Sequence, residues 1–515
     1  MEELLAQKIH HAEGAEGEDG LCHSLREAGP NGEEAGSSSQ VICRILLPKE
    51  EVVVSDIIEE EVPEASKLHF QDARQAKRKR KRATQSGPPL ALPGSSEARE
   101  WDHGCHGRGA EHQPTSESRT QQQEPAPSGT AVEGTHKRGR HQDTSGSPQS
   151  KNPDMASLKT HPSSYLFQPP SYTASSELGY FSLDGKGCYH GDARRLRYLS
   201  TPAGMDSGRA SLGWDVMDGF EDRYVPCNDD EKVGLGYILT WMKENRGLVQ
   251  GSNRPVNQDF VTRRGLLAKI MCTPYETNEG WIMTVTLFKG TLYINGRETP
   301  AAYKNRKERP KYVEKLLYSG YKFESYICAD SPGGAPRPRD VVNTNEAFCS
   351  VLQGQLASHS FLVSGEVDCK DPSSPDPSPP SCYVELKTNF QLLSAQQHYN
   401  FRRYKLLKWW SQSFLLGIPV IIAGFRNPQG RIGSLQKFRT SEIPYLARGD
   451  GQSWDPAVCM NFCNAFLSYI KEVVTRDDPR VVYVFSWEPY KDITFTIEEV
   501  SDDPVIPDWY ARELS

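Results

Sequence analysis

Two short stretches of the chain place acids at every second position: SGEVDC, with Glu366 and Asp368, and YVELKT, with Glu385 followed by Lys387. Side chains on a β-strand alternate between faces, so Glu366 and Asp368 point one way and Val367 the other, and Glu385 and Lys387 share a face opposite Val384 and Leu386. Paired as neighbouring strands, the two stretches would bring three carboxylates together beside one ammonium group. Asp and Glu are poor strand formers, and like charges facing each other destabilise a sheet, so this concentration of acid calls for a cation. An all-oxygen donor set suits Mg²⁺ or Mn²⁺, whereas structural zinc favours Cys and His. One or two such ions beside a lysine make the constellation of metal-dependent phosphodiester hydrolysis, in which the ion lowers the pKa of water and polarises phosphorus. The polar face of a surface hairpin explains either triplet alone. Together the two favour the metal.

A fourth acid candidate, Glu324, lies in KYVEKLLYSGYKFESYIC, where Val313, Leu316 and Leu317 recur at helical spacing before Gly320. Taken by itself it reads equally as a glutamate on a helix surface. Downstream, 404–416 reads as an amphipathic helix with Leu406, Leu407, Trp410 and Phe414 on one side, stopped by Gly417 and Pro419. Its opposite stripe carries Lys405, Lys408 and Gln412. On a generic helix that stripe faces water; beside a metal cluster it offers two charges and an amide to a phosphate backbone.

These residues sit in longer motifs. GYKFE (320–324), GEVD (365–368), ELK (385–387), KWWSQSF (408–414) and AGFRNP (423–428), with YHGDARRLRY, TPYE, NTNEAFCSVL, VCMNFC and FSWEP, closely resemble the eukaryotic decapping exoribonucleases, the DXO family, from near Ser175 almost to the C-terminus. The resemblance implies an α+β fold of two β-sheets flanked by helices, related to the PD-(D/E)XK nucleases. It also implies removal of incomplete, unmethylated, triphosphate or NAD caps from RNA, followed by 5′ to 3′ degradation. Carried over residue by residue, it makes Glu324, Asp368, Glu385 and the carbonyl of Leu386 metal ligands, with Glu366 binding metal or substrate in the same pocket and Mg²⁺ or Mn²⁺, as two ions, the cofactor. Lys387 and Gln412 match residues near the scissile phosphate. Arg263, Arg264, Gly265, Leu317 and Cys349 match substrate contacts. Two positions depart from the family pattern: Gly187 or Cys188 stands where a substrate-contacting arginine is expected, and Val233 replaces a glutamate. Both bear on cap preference, and neither touches the acids.

Composition bounds the rest. The chain has 515 residues, 25% of them charged, and a formal net charge of −7, which argues against a uniformly basic nucleic-acid coat. Residues 1–163, rich in Glu, Gly, Ser, Gln, Pro and Lys, hold too few apolar clusters to offset an ordering entropy of roughly 1–2 kcal/mol per residue, so a disordered tail is expected before a catalytic domain at 164–515. Short apolar runs at 41–47 and 51–58 interrupt it. KRKRKR at 77–82 reads as a nuclear import signal or as an RNA-contacting arm, with a weaker basic cluster at 137–140. The expected location is nuclear, with a cytoplasmic pool. The twelve cysteines follow no disulfide framework, and neither a cleavable signal peptide nor a membrane-crossing run is read. His103, Cys105 and His106 lack a second half-site for zinc. Cys459 and Cys463 fit an apolar helix face.

Along the domain, a helix is expected at 231–245, strands at 280–288 and 291–294, a helix at 311–318 and another beginning near Thr344. The acidic hairpin follows, its Pro- and Ser-rich connection at 371–381 reading as an exposed excursion. A buried strand at 420–424 and further strands at 483–487 and 493–498 complete the pattern, with no internal repeat. The partners implied are RNA 5′ ends, whether capped, triphosphorylated, monophosphorylated or NAD-capped, together with an exoribonuclease partner; no membrane is implied, and a monomer is expected. Two rival functions stand beside this reading: a DNA endonuclease using the same acids, and a non-catalytic scaffold that binds RNA ends or an exonuclease. A scaffold has no need to confine so much negative charge.

Overall fold

Short runs of β-branched and aromatic residues bounded by Gly, Pro, Asn and Asp favour strands, and strands form the frame of this chain. The computed structural model describes residues 157–202, 212–228, 234–448 and 454–514. The expected tail as far as residue 156, its apolar and basic runs, His103, Cys105, His106 and Val233 lie outside the described residues.

The larger sheet has nine strands. Their spatial order is β17 (Thr494–Glu498), β16 (Val482–Trp487), β6 (Trp281–Phe288), β7 (Thr291–Arg297), β5 (Phe260–Arg263), β11 (His359–Glu366), β10 (Ala347–Leu356), β1 (Tyr172–Leu183) and β2 (Tyr189–His190). Only β5 runs parallel to its neighbours β11 and β7. The smaller sheet has six strands in the order β15 (Ile432–Arg439), β14 (Val420–Arg426), β13 (Tyr383–Phe390), β12 (Cys369–Lys370), β3 (Tyr198–Leu199) and β8 (Cys328–Ala329). A two-stranded ladder, β4 (Tyr224–Val225) with β9 (Val342–Asn343), stands apart.

The helices that matter here are α1 (Gly236–Glu244), α2 (Arg264–Cys272), α3 (Pro300–Lys307), α4 (Lys311–Ile327), α5 (Ala395–Asn400), α6 (Leu406–Leu416) and α7 (Pro456–Val473). One face of the large sheet packs on α2, α6 and α7 through Leu267, Ile270, Leu407, Trp410, Phe462 and Phe466, and Cys459 and Cys463 of α7 are buried in that core as expected. The opposite face packs on α1 through Ile238 and Trp241. Helix α4 covers the small sheet, setting Phe323 and Ile327 against Val384, Leu386 and Ile422.

Most expected strands stand where the sequence placed them. The β6–β7 hairpin turns on Lys289 and Gly290, both at positive φ (52° and 79°), as a two-residue turn matched to strand twist demands. The Asp477 carboxylate accepts both of their N–H groups at 2.7 and 2.9 Å. Four expectations need correction. The helix expected near Thr344 is strand β10, whose first six residues are all buried; a short apolar run such as AFCSVL has no periodicity to separate a central strand from a buried helix. Helix α4 does not stop before Gly320 but continues to Ile327, because burying Phe323 and Ile327 outweighs the roughly 1 kcal/mol that an interior glycine costs. The helix expected at 404–416 is α6 preceded by a π-helical turn, Phe401–Lys405, and by α5, which starts at a Ser394–Gln397 capping box; it ends on Gly417 at φ 69° as read. Residues 157–163, expected in the tail, are already packed: Leu158 bridges Ile493, and the Thr160 hydroxyl donates to the Lys491 carbonyl at 2.8 Å.

Phe323 is fully buried, and its ring fills the place where a Cβ on Gly424 of β14 would lie, 2.6 Å away. Phe323→Ala should lower stability by roughly 3–5 kcal/mol in chemical denaturation and loosen α4 from the small sheet. A denaturation midpoint equal to that of the parent protein would show that α4 is anchored elsewhere.

Candidate metal centre

The GEVDC segment leaves one sheet and enters the other. Strand β11 ends at Glu366, which faces Cys349 across the β10–β11 ladder. The Val367 N–H still bonds to the Phe348 carbonyl of the large sheet at 2.9 Å, and two residues later Cys369 begins β12 of the small sheet. Glu366 and Asp368 therefore flank a joint between sheets instead of sharing one uniform strand. The expected hairpin does form: Cys369 faces Val384 and Lys370 faces Tyr383. One step further in that register sets Asp368 opposite Glu385. The Asp368 carboxylate accepts the Leu386 N–H at 2.6 Å.

Glu385 is almost wholly buried, at 3% side-chain exposure, and has two cationic partners. The Lys387 ammonium donates to Oε1 at 2.5 Å, and the Arg264 guanidinium donates to Oε2 at 3.2 Å. Burial is the largest single influence on its carboxyl and pushes the pKa up. The charges and hydrogen bonds of Lys387 and Arg264 outweigh it and hold the group ionised, below the usual carboxylate range.

Glu324 lies late in α4 and is 8% exposed. It lines one cleft with Glu366 and Asp368, so the structure brings three of the four sequence-read acids to the same cleft. Glu385 is not among the residues lining that cleft, and Arg264 and Lys387 are its counterions. Among the described residues no three His, Cys, Asp or Glu close on a single point. Glu385 is turned to the two basic side chains and Asp368 to a backbone N–H. The donor chemistry fits a hard divalent ion, since every candidate side chain is a carboxylate and the Leu386 carbonyl sits on the strand between Glu385 and Lys387.

The other expected positions divide. Leu317, half-buried, precedes Tyr321 and Glu324 by four and seven residues, which sets it on the cleft-facing stripe of α4. Gln412 is half-buried on α6, but Lys408 of the same stripe is paired with Glu276 at 3.3 Å. The neighbouring arginines diverge: Arg264 reaches Glu385, while the Arg263 guanidinium lies toward Gly296 of β7. Gly265 follows in the first turn of α2. Cys349 faces Glu366 in register yet is fully buried in the core with Phe181 and Leu183, so its thiol underlies the cleft instead of lining it. Gly187 adopts φ 74° in the turn after β1, and its carbonyl accepts the Tyr237 hydroxyl at 2.7 Å. A side chain at this position would be strained.

Sequence reasoning missed the basic wall of the cleft. Arg195 and Arg197 line the same cleft as the acids, and Arg195 is held by Glu346 at 2.8 Å. Their signal was the alternation of arginines in YHGDARRLRY just before β3. Tyr321 was missed as well; its place one turn before Glu324 was readable once the helix was known to continue.

Comparison with known proteins places this geometry. Residues 173–511 match the family model described as RAI1 like PD-(D/E)XK nuclease. A Xenopus laevis protein named decapping and exoribonuclease protein is 58% identical over 386 residues, covering 74% of this chain and 96% of the relative. The Homo sapiens protein of the same name is 46% identical over 380 residues, covering 74% and 95%. The crystal structure of S. pombe Rai1 in complex with 3′-FADP is similar at 25% identity and a TM-score of 0.53, covering 64% of this chain and 96% of that one.

The buried pair gives a direct test. Arg264→Met leaves the Glu385 charge without one of its two partners and should destabilise the fold by roughly 3–5 kcal/mol. Adding Glu385→Gln should recover part of that loss. Strictly additive losses in the double-mutant cycle would mean that the two side chains are not coupled.

Proposed function

Because this chain belongs to the RAI1-like PD-(D/E)XK nuclease family, we propose that it is a metal-dependent hydrolase of RNA 5′ ends, removing incomplete, unmethylated, triphosphate or NAD caps and degrading the RNA 5′ to 3′. The names of the Xenopus and human relatives, decapping and exoribonuclease protein, support both activities. The 3′-FADP bound to S. pombe Rai1 supports a pocket that accepts dinucleotide-like ends. The observation that carries the reading is the joint between the sheets, where Glu366 and Asp368 line one cleft with Glu324 and the strand register sets Glu385 opposite Asp368.

In this reading Glu324, Glu366, Asp368, Glu385 and the Leu386 carbonyl hold Mg²⁺ or Mn²⁺, as two ions. When bound, such ions would supply the chemistry of water activation and of charge neutralisation at phosphoryl oxygens. The chain's own residues do the positioning. Lys387, held at 2.5 Å from Glu385, presents a fixed ammonium toward the scissile phosphate. Arg264 keeps Glu385 ionised and in place. Gln412 offers an amide from α6, and Leu317 and Tyr321 give the 5′ nucleotide an apolar and aromatic wall. Arg195 and Arg197, which line the same cleft as the acids, take up negative charge on the departing end group.

A nuclear location follows in this proposal from the basic run at 77–82, with a cytoplasmic pool, and the enzyme acts as a monomer that docks an exoribonuclease. No helix among the described residues is long and apolar enough to cross a membrane.

Replacing Glu366 and Asp368 together by Ala should abolish release of both cap and nucleotides from defined triphosphate, unmethylated-cap and NAD-capped RNAs, with a folded circular dichroism spectrum retained. Removing divalent metal with a chelator should do the same to the parent protein. Full turnover by the folded double variant would overturn the assignment.

A further inference from the structure

Helix α3 buries none of its residues. A helix with no fully buried residue gains little from a core, so local contacts must hold it. The Thr299 hydroxyl accepts the Ala302 N–H at 3.1 Å, Pro300 occupies the first turn, and the Arg306 guanidinium bonds Glu298 at 2.9 Å. What this helix displays is positive charge. From Lys304 to Lys315 the chain carries Lys304, Arg306, Lys307, Arg309, Lys311 and Lys315 against Glu308 and Glu314, within a protein of net charge −7. Acidic side chains meet Arg306 through Glu298 at 2.9 Å, Lys304 through Glu308 at 4.0 Å and Lys311 through Glu221 at 2.6 Å, and the stretch still carries six cations against two acids of its own. Exposed rings lie among them. Tyr303 is 51% exposed with Arg306 and Lys307 at 5.3 and 5.8 Å from its ring centre, and Tyr312 is 46% exposed.

Cations interleaved with open aromatic faces suit single-stranded nucleic acid, whose phosphates take the charge and whose bases stack on the rings. An acidic peptide would use the charge but leave the rings in water. The position favours RNA too. Pro310 alone caps α4 after this basic stretch, and α4 then runs roughly 20 Å at about 1.5 Å per residue from Lys311 to Glu324. Leu317, Tyr321 and Glu324 share one stripe of α4, so a single helix joins the cleft at one end to the basic stretch at the other.

We infer that α3 and the first turn of α4 form a second RNA contact, gripping the strand several nucleotides 3′ of the bond being cut. This inference rests on the nuclease reading above. It makes long RNA a better substrate than a short oligonucleotide, and it places the salt dependence of binding outside the cleft.

The test compares the full chain with the Lys304→Glu/Lys307→Glu and Tyr303→Ala variants on 5′-monophosphate RNAs of about 4 and about 20 nucleotides. Charge reversal should raise KM for the long RNA by roughly tenfold and flatten its salt dependence, with kcat and all constants for the short RNA unchanged. Tyr303→Ala should raise KM for the long RNA alone by a smaller factor. Equal effects on both lengths, or none on either, would overturn the inference; in the second case an acidic protein replaces RNA as the occupant. If the parent protein hydrolyses neither RNA, the nuclease reading fails on its own, and fluorescence anisotropy of the long RNA with parent and variants still decides the contact. Unchanged melting temperatures verify that the surface substitutions leave the fold intact.

Discussion

The arrangement depends on a carboxylate that would not be tolerated without its neighbours. Glu385 is buried in the small sheet, and its charge is matched by Arg264, the first residue of a helix on the large sheet, and by Lys387 two residues along its own strand. An ion pair of this kind does more than neutralise charge, because it ties one sheet to the other at a single point. The tie needs close approach, and the sequence provides it at Gly365: a Cβ there would lie 3.0 Å from the Arg264 Cβ and 2.9 Å from the Leu416 methyl groups. Gly424 serves the same purpose on the other side of the small sheet, admitting the Phe323 ring. Two glycines in strands, ordinarily a weakness, here let α2, α6 and α4 close around the acids.

The acids themselves sit where a chain passes from one sheet to the other. A strand confined to a single ladder would have to set Glu366 and Asp368 against neighbours of fixed spacing. The joint separates them, with Glu366 ending one ladder and Asp368 preceding the next. Each acid then finds its own compensation, a backbone N–H for Asp368 and two side-chain cations for Glu385. Lys387 and Arg264 hold Glu385 ionised, and an all-carboxylate donor set is the one a hard divalent cation favours.

Much of this was legible in the chain because it rests on local rules. Alternation marked the acidic strands, a glycine marked the end of α6, and the Lys289–Gly290 turn follows from hairpin twist. What escaped the sequence was decided by contacts distant in the chain. Strand β10 reads as a helix as easily as a strand until β1 and β11 are known to flank it. Gly320 reads as a helix stop until the small sheet is known to cover Phe323 and Ile327. The burial of Cys349 was likewise invisible, since alternation assigns a face but not which face meets the core. Arg195 and Arg197 were overlooked because a short strand of two residues, β3, is what brings them beside the acids, and no periodicity announces an element so small.

Net charge is a poor guide to such a site. A chain of formal charge −7 should repel RNA at long range, yet beyond a Debye length of roughly 8 Å at physiological salt the exposed charges are largely screened. What a phosphate meets is the local field. At the cleft that field pairs acids able to hold cations with arginines and with the Lys387–Glu385–Arg264 triad, whose Glu385 and Arg264 are buried, so positive charge is delivered at fixed points. A uniformly basic coat would hold any polyanion anywhere along its length. Sparse cations set around a carboxylate floor instead favour the one phosphate that can sit between them, and a 5′ terminus reaches that position with the least chain to bend out of the way.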